Sequence, residues 1–172
     1  MKKVVFIGYM GSGKSIVAKN VATKLGFGCL DLDQMIEKKM KMSIEKIFFS
    51  KGEIYFRKIE HELFLELLNS KDDLIISTGG GTPCYYNNHE LLKGENVVSI
   101  YLKASVNTLF NRLVNEKQKR PLIANLTNEE VKEFIAKHLF DRSFYYNQAT
   151  FKVNVDDKSV ETITDDIEKL LT

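Results

Sequence analysis

The octapeptide Gly8-Tyr9-Met10-Gly11-Ser12-Gly13-Lys14-Ser15 constrains the fold more than any other stretch, because it fits G-x-x-x-x-G-K-[ST]. Its flanks make the match specific. The apolar, β-branched run Val4-Val5-Phe6-Ile7 leads into it, and a helical pattern with Val17, Val21 and Leu25 on one face follows. Strand, glycine-rich turn and helix in that order make a phosphate-binding loop. Glycine lets the backbone curl until successive N–H groups face one anion, and the helix N-terminus adds partial positive charge. Within such a loop Lys14 can reach the β- and γ-phosphates of a nucleotide, and Ser15 can hold Mg2+. The loop alone does not separate a GTPase, an ATPase and a kinase.

The remainder of the 172 residues reads as one α/β domain, 1–172, long enough to bury a sizeable core. Strand candidates are Val4–Ile7, Cys29–Leu32, Leu74–Ser77, Val97–Leu102 and Phe151–Val155, and helical segments separate them. That alternation predicts a parallel sheet covered on both faces. Glu53–Leu68 is the clearest helix, with Phe56, Ile59, Leu63 and Leu67 forming one buried stripe. Thr127-Asn128-Glu129-Glu130 reads as a capping box that opens a long helix to about Asn147. Ser159–Leu171 reads as a closing amphipathic helix.

Several function classes are disfavoured. No apolar run approaches a membrane span, and Lys2-Lys3 followed by a strand lacks the form of a signal peptide. A net charge of +2 gives no nucleic-acid footprint. Cys29 and Cys84 lack metal-site spacing and cannot build a disulfide framework, so they are expected as reduced thiols of a cytoplasmic protein.

Ligands of an open parallel sheet bind beyond the C-terminal strand ends. The third strand candidate ends in Ser77-Thr78-Gly79 and offers no Walker B Asp, and Asp72 and Asp73 lie at its wrong end. That leaves Asp31 and Asp33, after the second strand, as the carboxylates nearest the phosphates. On an extended chain their spacing of two puts both side chains on one side. The pair also fits an ordinary turn in which Asp33 caps a helix from Gln34 to Lys39. Gly79-Gly80-Gly81 has two readings: close approach of backbone N–H groups to a substrate oxygen, or a tight connection with positive φ.

The arginines are Arg57, Arg112, Arg120 and Arg142, the natural clamps for a carboxylate or a transferring phosphate. By spacing alone Arg57 falls on the polar side of its helix, in an exposed ion pair with Glu53 and Glu60. Arg120 lies in a polar segment, 115–125, that is either a lid or a solvated loop. Arg142 reads as a surface helical residue, His61, His89 and His138 as structural or exposed, and Phe144-Tyr145-Tyr146 as helix packing.

Taken in order and interval, these residues resemble the shikimate kinase family across essentially the whole chain. The carrying residues are Gly8–Ser15, Asp31-Leu32-Asp33, Phe56-Arg57 with Glu60, Gly79-Gly80-Gly81, Arg120-Pro121-Leu122, and Arg142 with Tyr145. The resemblance implies a three-layer P-loop kinase fold of the nucleoside-monophosphate-kinase type. It implies a five-stranded parallel sheet in the order 2-3-1-4-5, a substrate-binding region at 33–62 and a lid at 112–126. It implies a monomer that phosphorylates the 3-hydroxyl of shikimate from ATP with Mg2+, in aromatic amino-acid biosynthesis. Carried over by position, Lys14 binds phosphate, Ser15 ligates Mg2+ and Asp31 orders its shell through water. Asp33 binds the shikimate hydroxyl as a possible base, Arg57 and Arg142 grip the carboxylate, and Gly79, Gly80 and Gly81 contact the ring. Arg120 meets the transferring phosphate, Arg112 stacks on adenine, and Phe48 and Phe56 wall the acceptor pocket. Gly11, Ser12, Gly13 and Ile16 complete the nucleotide contacts.

Departures from the family pattern are Thr82-Pro83-Cys84 after the glycines and the lack of Pro between Arg142 and the tyrosines, which leaves the local helix end open. Competing expectations are another small-molecule kinase of the same fold, such as a gluconate kinase, and a non-catalytic relative.

Overall fold

The computed structural model describes residues 2–172. β1 (Lys3–Ile7) is buried at every position, as its run of Val, Phe and Ile requires of a central strand covered on both faces. It pairs in parallel with β3 (Leu74–Ser77) on one side and β4 (Val97–Lys103) on the other. The edges are β2 (Gly28–Asp31) beside β3 and β5 (Phe151–Asn154) beside β4. The order is therefore β2-β3-β1-β4-β5, as the resemblance implies. β1 is the switch point of this sheet, and the phosphate loop leaves its C-terminal end there.

Helices α1 (Lys14–Leu25), α2 (Leu32–Met40), α3 (Ile44–Lys51), α4 (Glu53–Leu68), α5 (Val106–Val114), α6 (Asn128–Tyr146) and α7 (Val160–Leu171) complete the fold. Their ends follow local chemistry. Ser43, Ser105 and Ser159 accept hydrogen bonds from the backbone N–H three residues on. Thr127 Oγ1 accepts from Glu130 N at 3.2 Å while the Glu130 carboxylate accepts from Thr127 N at 2.8 Å, the expected capping box. Without a proline after Arg142, α6 runs unbroken to Tyr146.

Three expectations change here. The second strand ends at Asp31, whose carboxylate accepts from Gln34 N at 3.1 Å, so Asp31 and not Asp33 is the cap of α2. Asp33 belongs to the first helical turn, and the extended-chain argument for the pair fails. The segment 115–125 is not a plain solvated loop. Arg112 lies within α5, a short 3-10 turn covers Lys117–Lys119, and Ile123 is fully buried in the core. The aromatic cluster splits: Tyr146 is fully buried, but Phe144 is 61% exposed.

Candidate active site

A cleft of about 630 Å3 opens at the C-terminal edge of the sheet. Gly11, Ser12, Gly13, Lys14, Ser15 and Ile16 line it together with Asp31, Asp33, Gly79, Gly80, Arg112 and Arg120. Gly11 and Gly13 take positive φ angles of 82° and 94°, which side chains other than glycine rarely adopt. Lys14 Nζ donates to the carbonyls of Gly8 at 2.7 Å and Tyr9 at 3.1 Å. Burial pulls its pKa down to about 8, although the Asp33 charge nearby opposes this. Arg112 Nη1 donates to Gly11 O at 3.0 Å and so rests against the loop. Arg120 pairs with Glu116 at 3.1 Å at the rim, an exposed ion pair of little energetic weight. Lys158, Val160 and Ile163 close the cleft from the side of α7.

Ser15 Oγ donates to Asp31 Oδ2 at 3.0 Å. A hydroxyl and a carboxylate side by side suit Mg2+, which keeps several waters and takes one or two protein ligands beside phosphate oxygens. Among the described residues no group of three or more His, Cys, Asp or Glu side chains is placed to hold a metal by itself. The Ser15–Asp31 donor set fits a nucleotide-borne Mg2+.

A second cluster, on α4, adjoins the cleft through Gly79–Gly81. Arg57 and Glu60, expected on an exposed face, are buried at 8% and 0% exposure. Arg57 Nη1 donates to Glu60 Oε1 at 3.0 Å, and Thr82 Oγ1 donates to Glu60 Oε2 at 2.9 Å. Three rings flank the guanidinium: Tyr85 at 4.1 Å, Phe56 at 5.1 Å and Phe48 at 5.9 Å. Phe48 and Phe56 themselves pack with centroids 4.6 Å apart. Burial raises the Asp33 pKa to about 6, helped by the charges of Glu60 and Asp31 and opposed by Lys14 and Arg57.

The triple glycine is explained by space and not by backbone angles. None of Gly79, Gly80 and Gly81 has a positive φ. A Cβ on Gly79 would lie 3.0 Å from Asp33 Oδ1, one on Gly80 3.0 Å from Arg142 Nη1, and one on Gly81 2.6 Å from Arg57 Nη2. Each glycine thus clears room for one charged side chain. Arg142 is not a plain surface residue: its guanidinium lies over the Tyr9 ring at 5.7 Å. Tyr146, one helical turn on, donates its hydroxyl to Gly80 O at 2.6 Å and ties α6 to the same glycine.

A family model described as Shikimate kinase matches residues 10–172. The chain belongs to the shikimate kinase family. The shikimate kinase of Flavobacterium johnsoniae is 58% identical over 171 residues, 99% of each chain. The solved structure of shikimate kinase from Bacteroides thetaiotaomicron matches with a TM-score of 0.91 at 32% identity, covering 99% of this chain and 98% of that one. Shikimate kinase from Acinetobacter baumannii in complex with shikimate matches with a TM-score of 0.86 at 28% identity, covering 99% and 93%.

In this shikimate kinase-family chain the histidines pack as structural residues. His61 Nδ1 hydrogen-bonds Asn88 Oδ1 at 2.6 Å, His138 Nδ1 hydrogen-bonds the Tyr9 hydroxyl at 3.0 Å, and His89 meets Phe144 and Tyr145 edge-on. Cys29 is exposed and Cys84 half-buried, both unpaired. The sequence reading missed Thr82, Tyr85 and Tyr146, and named nothing on α7. Tyr146 had a signal, since it lies four residues after Arg142 on one helix and so shares its face. Ile163 had one too, on the apolar stripe of α7. Tyr85 had none, because a loop brings it to Arg57.

Proposed function

We infer that this chain transfers the γ-phosphate of ATP to the 3-hydroxyl of shikimate. The observation that carries the reading is the triple glycine, which clears room for Asp33, Arg142 and Arg57 in turn beside the phosphate loop. Two guanidiniums and a carboxylate against one run of glycines suit a compact hydroxy-acid: the arginines take its carboxylate, and Asp33 takes its hydroxyl.

Phosphoryl transfer needs positioning and neutralisation of charge more than covalent chemistry. Lys14 and the loop amides bind the β- and γ-phosphates. Ser15, with Asp31 beside it, would hold a nucleotide-borne Mg2+, which would supply charge neutralisation to the triphosphate. Arg57, held by Glu60 and boxed by aromatic rings, and Arg142, packed on Tyr9, fix the acceptor so that its hydroxyl lies in line with the γ-phosphate. Asp33 orients that hydroxyl and accepts its proton as the hydroxyl oxygen bonds the γ-phosphorus and the bond from that phosphorus to the β–γ bridging oxygen breaks to release ADP, and its pKa of about 6 keeps it ionised at neutral pH. Arg120, from the rim, meets charge on the transferring phosphate. Arg112 and Ile16 flank the base.

No helix among the described residues is long and apolar enough to cross a membrane. We place the reaction in the cytoplasm, where unpaired thiols stay reduced, and as one chain supplies every group named, we take the monomer as the working unit.

The test is ADP release from ATP and Mg2+ over shikimate, gluconate and AMP. Turnover with shikimate alone is expected. A preference for gluconate or AMP assigns the chain to another acceptor, and no turnover with any of them points to the non-catalytic reading.

A further inference from the structure

Tyr9 belongs to the phosphate loop by sequence, yet its ring is 1% exposed and does not line the cleft. The loop's chemistry asks for glycines, a lysine and a hydroxyl residue, and nothing in it asks for a buried tyrosine at this position. What the ring touches lies on α6. Its hydroxyl shares a hydrogen bond with His138 Nδ1 at 3.0 Å, and the two rings meet edge-on at 5.4 Å and 87°. One turn further along α6, the Arg142 guanidinium lies over the Tyr9 ring at 5.7 Å. His138 and Arg142 are four residues apart and so share one helical face. One turn earlier Phe134 packs against His138 at 5.2 Å, which fixes the imidazole from behind. Meanwhile the Tyr9 carbonyl accepts from Lys14 Nζ at 3.1 Å. One loop residue therefore touches the phosphate lysine through its backbone and the acid-binding arginine through its ring.

We propose that Tyr9 is a positioning residue for Arg142: its ring face supports the guanidinium, and its bond to His138 fixes the ring. The inference rests on Arg142 gripping the shikimate carboxylate, as argued above. A guanidinium on a long flexible stem loses less freedom on binding a carboxylate when a ring already holds its plane. The hydroxyl is buried, so a partner such as His138 is required to offset its desolvation.

The test is a double-mutant cycle read by calorimetric titration of shikimate, and separately of ADP, into the wild type, Tyr9→Leu, Tyr9→Phe, Arg142→Ala and Tyr9→Leu/Arg142→Ala. Tyr9→Leu is expected to raise the shikimate Kd about three- to tenfold, the range a partly desolvated cation–ring contact supplies, with the ADP Kd within about twofold of wild type on the same scale. Tyr9→Phe keeps the ring face and is expected to recover most of that loss. In the Arg142→Ala background, Tyr9→Leu is expected to add nothing. Additive losses, an equal loss of ADP affinity, or a Tyr9→Phe as weak as Tyr9→Leu would each overturn the positioning role. If Arg142→Ala alone leaves shikimate binding unchanged, the assignment of Arg142 fails first and takes the inference with it.

Discussion

A methyl group on Gly81 would lie 2.6 Å from Arg57 Nη2 and 2.8 Å from Nη1. The guanidinium cannot simply swing aside, because Glu60 holds it at 3.0 Å and Tyr85 covers its face. Gly81→Ala is therefore expected to displace Arg57, raising the KM for shikimate by about tenfold or more while the KM for ATP stays nearly constant. Steady-state kinetics with each substrate varied in turn check this. Asp33 makes a second prediction at the same scale. Its folded-state pKa is raised to about 6, so the protonated form is favoured by the fold. That stabilisation is complete below the ordinary carboxylate pKa and is lost as pH rises through about 6. Asp33→Asn cannot ionise and keeps it. The variant is expected to lose phosphoryl transfer, bind ADP normally, and unfold above pH 7 on the order of 1–2 kcal/mol less easily than the wild type. Denaturation at pH 5 and pH 8 tests the sign, since the gain should shrink at the lower pH. Arg57 shows where single-residue reading fell short. The sequence placed it on a polar face because charged residues usually lie outside. Its true setting, beside a buried Glu60 and a threonine from another segment, depends on contacts that helical spacing does not encode.

At the scale of elements, α4 buries Phe56, Arg57, Glu60, Leu63, Phe64 and Leu67. Phe56, Leu63 and Leu67 mark its apolar stripe in the sequence, while the helix packs on α2 and α3 with Arg57 and Glu60 buried beside that stripe. The strands and the long helices were legible for the same reason: apolar periodicity and capping chemistry are local. What stayed hidden was tertiary. Ile123 pins the segment after α5, and the polar run Asn115–Arg120 before it gave no hint of it. Arg120 leaves from this pinned segment, so its reach to the cleft is short. Arg120→Ala is expected to lower kcat by about a hundredfold with shikimate affinity little changed, as for a group that meets charge only in the transition state. α6 offers a control. Thr127→Ala removes one half of the capping box, far from the cleft, and is expected to cost about 1 kcal/mol of stability in urea unfolding with kcat unchanged.

At the scale of the molecule, the order β2-β3-β1-β4-β5 gathers the ends of β1, β2 and β3 into one cleft. The first supplies the phosphate loop, the second Asp31 and Asp33, and the third the glycines. Two titrating groups from different strand ends then face the same space, Asp33 near 6 and Lys14 near 8. Since the proposed mechanism uses Asp33 ionised and Lys14 charged, kcat/KM is expected to follow a bell with limbs near those values, falling in acid as Asp33 gains its proton and in base as Lys14 loses its own. The central claim is that this cleft seats a hydroxy-acid between Arg57 and Arg142 with a hydroxyl on Asp33. A crystal structure with ADP and shikimate bound tests it most directly. The account predicts the carboxylate within hydrogen-bond distance of both guanidiniums and one ring hydroxyl against Asp33, facing the phosphate loop. A carboxylate turned away from both arginines, or a hydroxyl face remote from Asp33, would contradict it.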